Sequence, residues 1–147
     1  MNKIPVLLTC MLLVNVISFA QDKDEMSIRG VMQEQTTAWN KGDLTSFMKT
    51  YWNSDSLMFI GRNGVTYGWQ KTLANYKKNY PDTTAMGKLR FELVDVKRLS
   101  EVYFFVIGKW FLARSIGNLN GVFTLLFRSN NGKWVIVGDH SSSALSP

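Results

Sequence analysis

The chain has 147 residues, of which 46% are hydrophobic and 13% aromatic, and a formal net charge of +6. That is enough apolar material for one domain with its own core. Its basic residues are scattered, in pairs such as Lys77-Lys78 and Lys97-Arg98, whereas nucleic-acid binding needs a clustered basic stripe. With one cysteine, Cys10, and one histidine, His140, neither a disulfide framework nor a His- or Cys-built metal site is expected. No cofactor is expected either.

Residues 1–20 read as a targeting leader. Lys3 supplies a positive start, Val6 to Ile17 is an apolar run, and Ser18-Phe19-Ala20 offers small residues at both cleavage positions. The run is too short for a stable membrane anchor, which needs about 20 apolar residues. Cys10 in "LLTC" invites a lipoprotein reading, but Thr9 precedes it poorly and apolar residues continue beyond it. Cleavage would leave residues 21–147 as a single exported domain, periplasmic or secreted, without a thiol.

Three helical patterns follow. From about Asp24 to Asn40, the residues Ile28, Val31, Met32, Gln35 and Trp39 share one face. Lys41-Gly42 closes this helix and Asp43 caps the next, whose stripe is Leu44, Phe47, Met48 and Tyr51. Ser56 to Ile60 reads as a strand, Asn63-Gly64 as a hairpin turn and Val65 to Tyr67 as the return strand. A third helix, from about Trp69 to Tyr80, carries Trp69, Leu73, Tyr76 and Tyr80 on one side and stops at Pro81.

The remainder is strand-like: Leu89–Leu99, Val102–Arg114, Val122–Arg128 and Lys133–Ser141, joined by connections short enough only for hairpins. Helices grouped before an antiparallel meander give an α+β domain with the helices on one face of the sheet.

The segments "TTAWNKGDLTSFMKTYWNSDSLMFIG", "YGWQKTLANYKKNYPD" and "GVFTLLFRSNNGKWVIVGDHSSS" resemble the nuclear transport factor 2-like superfamily, in its SnoaL-like, DUF4440 branch. The resemblance covers nearly all of residues 21–147. It implies a cone in which a strongly bent, mainly antiparallel sheet wraps three N-terminal helices around a cavity, and it implies frequent pairing of two copies. It does not imply a chemistry, because that cone hosts isomerases, dehydratases, cyclases and non-catalytic binders. The carboxylate-and-tyrosine set of the ketosteroid isomerases is not matched by any spacing here.

"GDHSSS" raises the question of catalysis directly. Alternation along a strand puts Asp139 and Ser141 on one face and His140 on the other, so the three cannot form a serine triad. On the preceding strand Phe123, Leu125 and Phe127 make a wholly apolar face, the expected cavity wall. A regular register joins it to Val135, Val137 and Asp139, with Asp139 the candidate catalytic residue and His140, the weaker candidate, pointing outward. A bulge would reverse that assignment. The expected ligand pocket is Tyr51, Phe59, Trp69, Tyr76, Phe91, Lys109, Leu125 and Asp139, with Lys109 free to pair with Asp139 or stay exposed. The expected function is an exported binder of a small, largely apolar molecule. The alternatives are an isomerase or hydro-lyase using Asp139 as base with a tyrosine donor, and a dimerisation module. In β-strand "VYFFVIGKWFLAR", the residues Tyr103, Phe105, Ile107 and Phe111 are assigned to the helix side. This leaves Phe104, Trp110, Leu126, Trp134, Ile136 and His140 as the expected homodimer surface.

Overall fold

The computed structural model describes the backbone of residues 6–144 and the side chains of residues 23–144. The leader expected at residues 1–20 therefore falls on side chains outside the described residues. In chain order the elements are α1 (Val6–Asn40), α2 (Leu44–Met48), β1 (Met58–Gly61), β2 (Gly64–Tyr67), α3 (Trp69–Asn79) and α4 (Thr83–Met86). Strands β3 (Lys88–Arg98), β4 (Tyr103–Ala113), β5 (Leu119–Asn130) and β6 (Lys133–Ser143) complete the domain. Among the described residues no helix is long and apolar enough to cross a membrane.

Local chemistry sets the element ends. Gly42 takes φ 78°, and the Asp43 carboxylate accepts the Ser46 backbone N–H at 2.8 Å to start α2. A fourth helix, α4, adds to the three expected: Asp82 caps it by accepting the Ala85 N–H at 2.8 Å. Asn131 and Gly132, at φ 51° and 76°, form the two-residue turn between β5 and β6. Positive φ at both positions matches the right-handed twist of the flanking strands.

The six strands run in the order β2-β1-β6-β5-β4-β3, in a curved mixed sheet of an α+β fold. Strands β3 to β6 form the expected antiparallel meander. The β1–β2 hairpin then docks through β1 parallel to β6, pairing Phe59 with Asp139. One face of the sheet and the helices enclose a core of Ile28, Met32, Trp39, Phe47, Met48, Leu57, Phe104, Val106, Phe123, Leu125, Phe127 and Ile136.

Two face assignments need correction. On β4, Phe104, Val106 and Leu112 are buried, while Phe105 is half-buried and Ile107 exposed. Both faces of that strand are apolar, so alternation alone does not choose between them. The pairing does: Phe104 lies opposite Phe127 and Val106 opposite Leu125, and cross-strand partners share a face. On β6, Leu125 pairs with Asp139 but Phe127 pairs with Ile136, so the two strands differ by one residue at Val137. This bulge turns Trp134 and Ile136 inward above it while Asp139 faces inward below it. Phe104, Trp134 and Ile136 are therefore core residues and not part of an exposed interface. Trp110 shares the inner face of β4, half-buried, with its indole N–H donating to the Ser142 carbonyl at 3.2 Å. Leu126 and His140 do lie on the outer face, half-buried and exposed respectively.

Candidate functional site

Tyr51 reaches the sheet because the chain leaving α2 runs beside β6. The Ile136 N–H donates to the Thr50 carbonyl at 3.0 Å, and the Trp52 N–H donates to the Ile136 carbonyl at 2.9 Å. Thr50 is itself fixed: its hydroxyl donates to the Phe47 carbonyl at 2.8 Å and accepts from the buried Gln35 amide at 2.9 Å. This frame aims the Tyr51 ring into the core, where its hydroxyl donates to Asp139 Oδ2 at 2.7 Å. From the same strand, Ser141 donates its hydroxyl to Asp139 Oδ1 at 2.9 Å. Each carboxylate oxygen thus has one neutral donor.

The surroundings of this pair are aromatic. Phe59 packs on Tyr76 with ring centroids 5.7 Å apart, and Tyr76 also meets Phe47 at 5.3 Å and Trp39 at 6.0 Å. Leu125 lies opposite Asp139 on β5, and Phe123 lies opposite Ser141 and packs edge-on against Phe91 at 5.3 Å. Burial raises the Asp139 carboxyl from its ordinary value to about 6, against the lowering effect of the Tyr51 and Ser141 hydrogen bonds and of nearby His140. Burial also pushes the Tyr51 and Tyr76 hydroxyls well above the ordinary tyrosine range, and the Asp139 charge pushes in the same direction. Tyr51 is therefore a donor throughout the physiological range.

Of the eight residues expected to line a pocket, Tyr51, Phe59, Tyr76, Leu125 and Asp139 come together in this region, and Phe91 adjoins it through Phe123. Trp69 does not reach the carboxylate. It opens α3 and its indole N–H donates to the Met48 carbonyl at 2.7 Å, tying that helix to α2. Lys109 is on the opposite side of the sheet, exposed, with its ammonium 3.1 Å from Glu92. It can neither line the interior nor neutralise Asp139, because it alternates with Trp110 and Gly108 on β4. Ser141 was not among the expected lining residues, although its spacing of two from Asp139 on a strand signals a shared face.

Two recesses, of about 230 Å³ at Trp39, Asn40, Thr83 and Lys88 and about 160 Å³ at Lys109, Phe111, Val122 and Ser142, lie away from Asp139. At the carboxylate itself, Tyr51 bonds to it, Phe59 lies beside it on β1 and Tyr76 packs on Phe59. Among the described residues no group of three or more His, Cys, Asp or Glu side chains could hold a metal ion.

Helices followed by a curved six-stranded mixed sheet, with the family match and the solved structures below, make this a nuclear transport factor 2-like protein. Within that superfamily the chain belongs to the SnoaL-like domain family, whose model matches residues 28–146. It is similar to a nuclear transport factor 2-like protein of unknown function from Shewanella oneidensis MR-1, with 43% identity and a TM-score of 0.76 over 79% of this chain and 96% of that one. A ketosteroid isomerase-like protein from Erwinia carotovora atroseptica shares the fold at 19% identity and TM-score 0.67, covering 83% and 96% of the two chains. So does a nuclear transport factor 2-like superfamily protein from Salmonella enterica serovar Typhimurium, at 18% identity and TM-score 0.63, covering 86% and 94%. At those identities the likeness concerns fold alone. No curated protein matches the chain.

Proposed function

We propose that this protein is exported and binds a small, largely apolar molecule on the inner face of the sheet, at Asp139. One observation carries the reading: a carboxylate 4% exposed is kept in an aromatic core with, among the described residues, no salt-bridge partner. Its shift to about 6 amounts to roughly 3 kcal/mol at 1.36 kcal/mol per unit. An apolar residue of similar size would avoid that cost, so stability does not account for the choice, and perturbed groups of this kind concentrate at functional sites. A ligand reaches Asp139 past the half-buried Tyr76, which packs on Phe59 from α3. In a thermal-shift panel of small apolar molecules with one hydrogen-bonding group, at least one should raise Tm. Asp139→Asn and Tyr76→Phe should weaken that response. Wild-type response in both variants would remove the site from this region.

The value near 6 also favours a second reading, in which Asp139 acts as a general base on a bound molecule, since such a group is poised near neutral pH. That reading requires Tyr51 or Ser141 to yield one carboxylate oxygen to the substrate. Export rests on Lys3, the run Val6 to Ile17 and the site at Ala20. Mass spectrometry of the protein from its own host should find a chain beginning at Gln21, and an intact Met1 terminus would overturn it. A second copy is proposed to cover the outer sheet face, at Phe105, Ile107, Val122, Leu126 and Val137, where apolar side chains remain half-buried or exposed.

A further inference from the structure

We propose that the ligand bound at Asp139 is a cation: a protonated amine on an apolar, preferably aromatic, body. The inference rests on the binding reading above and names its substrate class. It follows from the charge balance around one carboxylate.

Every element packed on Asp139 contributes a neutral group. The segment after α2 gives the Tyr51 hydroxyl, α3 gives Tyr76, β1 gives Phe59, β5 gives Leu125, and β6 itself gives Ser141. The charged side chains nearest it on the sheet face elsewhere. Lys109 is on the outer face beside Glu92, and His140, next in sequence, is exposed on the outer side of β6. Two neutral hydroxyl donors solvate the ionised carboxylate only in part, which is why burial still dominates its protonation. A buried charge of this sort is stabilised most by an opposite charge brought into hydrogen-bonding distance.

The walls are suited to the same ligand. Phe59 and Phe91 are half-buried rings on the sheet and Tyr76 is one on α3, and an ammonium group next to ring faces gains cation–π attraction. Exposure rises along β6 beyond Asp139. Ser141 is half-buried and bonded to Oδ1, and Ser143, two residues on along the same face, is exposed. A carboxylate ligand would meet Asp139 as a like charge and would have to enter with a proton. A neutral ligand would leave the ionised Asp139 without its counter-charge.

The test is a matched series at about pH 8: phenethylamine, phenethyl alcohol and hydrocinnamate, titrated against the wild-type protein and Asp139→Asn by calorimetry. The amine should bind wild type at least about tenfold tighter than the alcohol, and that preference should vanish in Asp139→Asn. Carbon-13 NMR of the wild-type Asp139 carboxyl supplies a measurement independent of the variant's folding. Saturating amine should lower its titration midpoint by about one unit or more, the sign expected when a cation joins a carboxylate. Equal or tighter binding of the alcohol or the acid would overturn the cation proposal while leaving a ligand site. Amine binding without change in the Asp139 midpoint would place the cation elsewhere and overturn it too. Failure of all three compounds to bind would overturn the binding reading itself at this site for aromatic ligands.

Discussion

Replacing Asp139 by Asn isolates the energetic consequence of the buried carboxylate. Asparagine keeps the shape and can still accept from Tyr51 and donate to the Ser141 oxygen, but it has no proton to lose. In the wild type the folded-state value, about 6, stands above the ordinary 3.8 of an unfolded chain. The folded protein therefore holds this proton more tightly than the unfolded chain does. Its stabilising contribution is full below about pH 4 and disappears as pH rises through about 6. The total swing is about 3 kcal/mol, of which about 2 fall between about pH 4.5 and 8. All other carboxylates are common to both proteins and cancel in the comparison. Urea unfolding at several pH values should show the Asn variant gaining about 2 kcal/mol on the wild type over that window. In thermal melts this corresponds to about 8 °C for a domain of this size. Parallel pH curves for the two proteins would show that Asp139 is not desolvated in the way described, and the charge-balance reasoning would fall with it.

Tyr51→Phe removes one of the two donors to Asp139, and should cost about 1–3 kcal/mol above about pH 6, where the carboxylate is ionised, and less at lower pH. A pH-independent loss would mean the ring matters and the hydroxyl does not. Gly108→Ala would put a methyl group 2.3 Å from Phe123 Cζ and 2.9 Å from the Glu92 carbonyl, and should lower stability by at least about 2 kcal/mol in chemical denaturation; tolerance of the methyl would mean β4 and β5 lie farther apart. Phe104→Ala should cost about 3–5 kcal/mol without altering oligomeric mass, as expected of a fully buried ring on the inner face. Phe105→Arg should do the reverse, halving the mass seen by light scattering while leaving the monomer folded. A wild type already monomeric at micromolar concentration would rule out the proposed pairing.

Much of this molecule is legible in its sequence. Helical spacing of Ile28, Met32, Gln35 and Trp39, the Asp43 cap and the stop at Pro81 act within a turn or two of chain, so local chemistry locates those helices, except that α1 begins at Val6 and not near Asp24. The same holds for the Asn131-Gly132 turn and for the α+β order of elements. Asp139's inward orientation required more. A regular β6 alternating from Val135 would also turn Asp139 inward, but it would send Trp134 and Ile136 out, and both are buried. The extra residue at Val137 reconciles the two, and it is visible only in the pairing with β5. Likewise β4 is apolar on both sides, so nothing within "YFFVIGKWFLA" says that Phe104 faces the helices and Phe105 does not. Lys109 goes outward with Phe105 for the same reason. The contact between Tyr51 and Asp139 spans 88 residues and depends on β1 and the segment after α2 docking beside β6. Local propensity specifies what each stretch becomes; which face it turns to the core is chosen by the partner strand, because only cross-strand packing distinguishes two equally apolar sides.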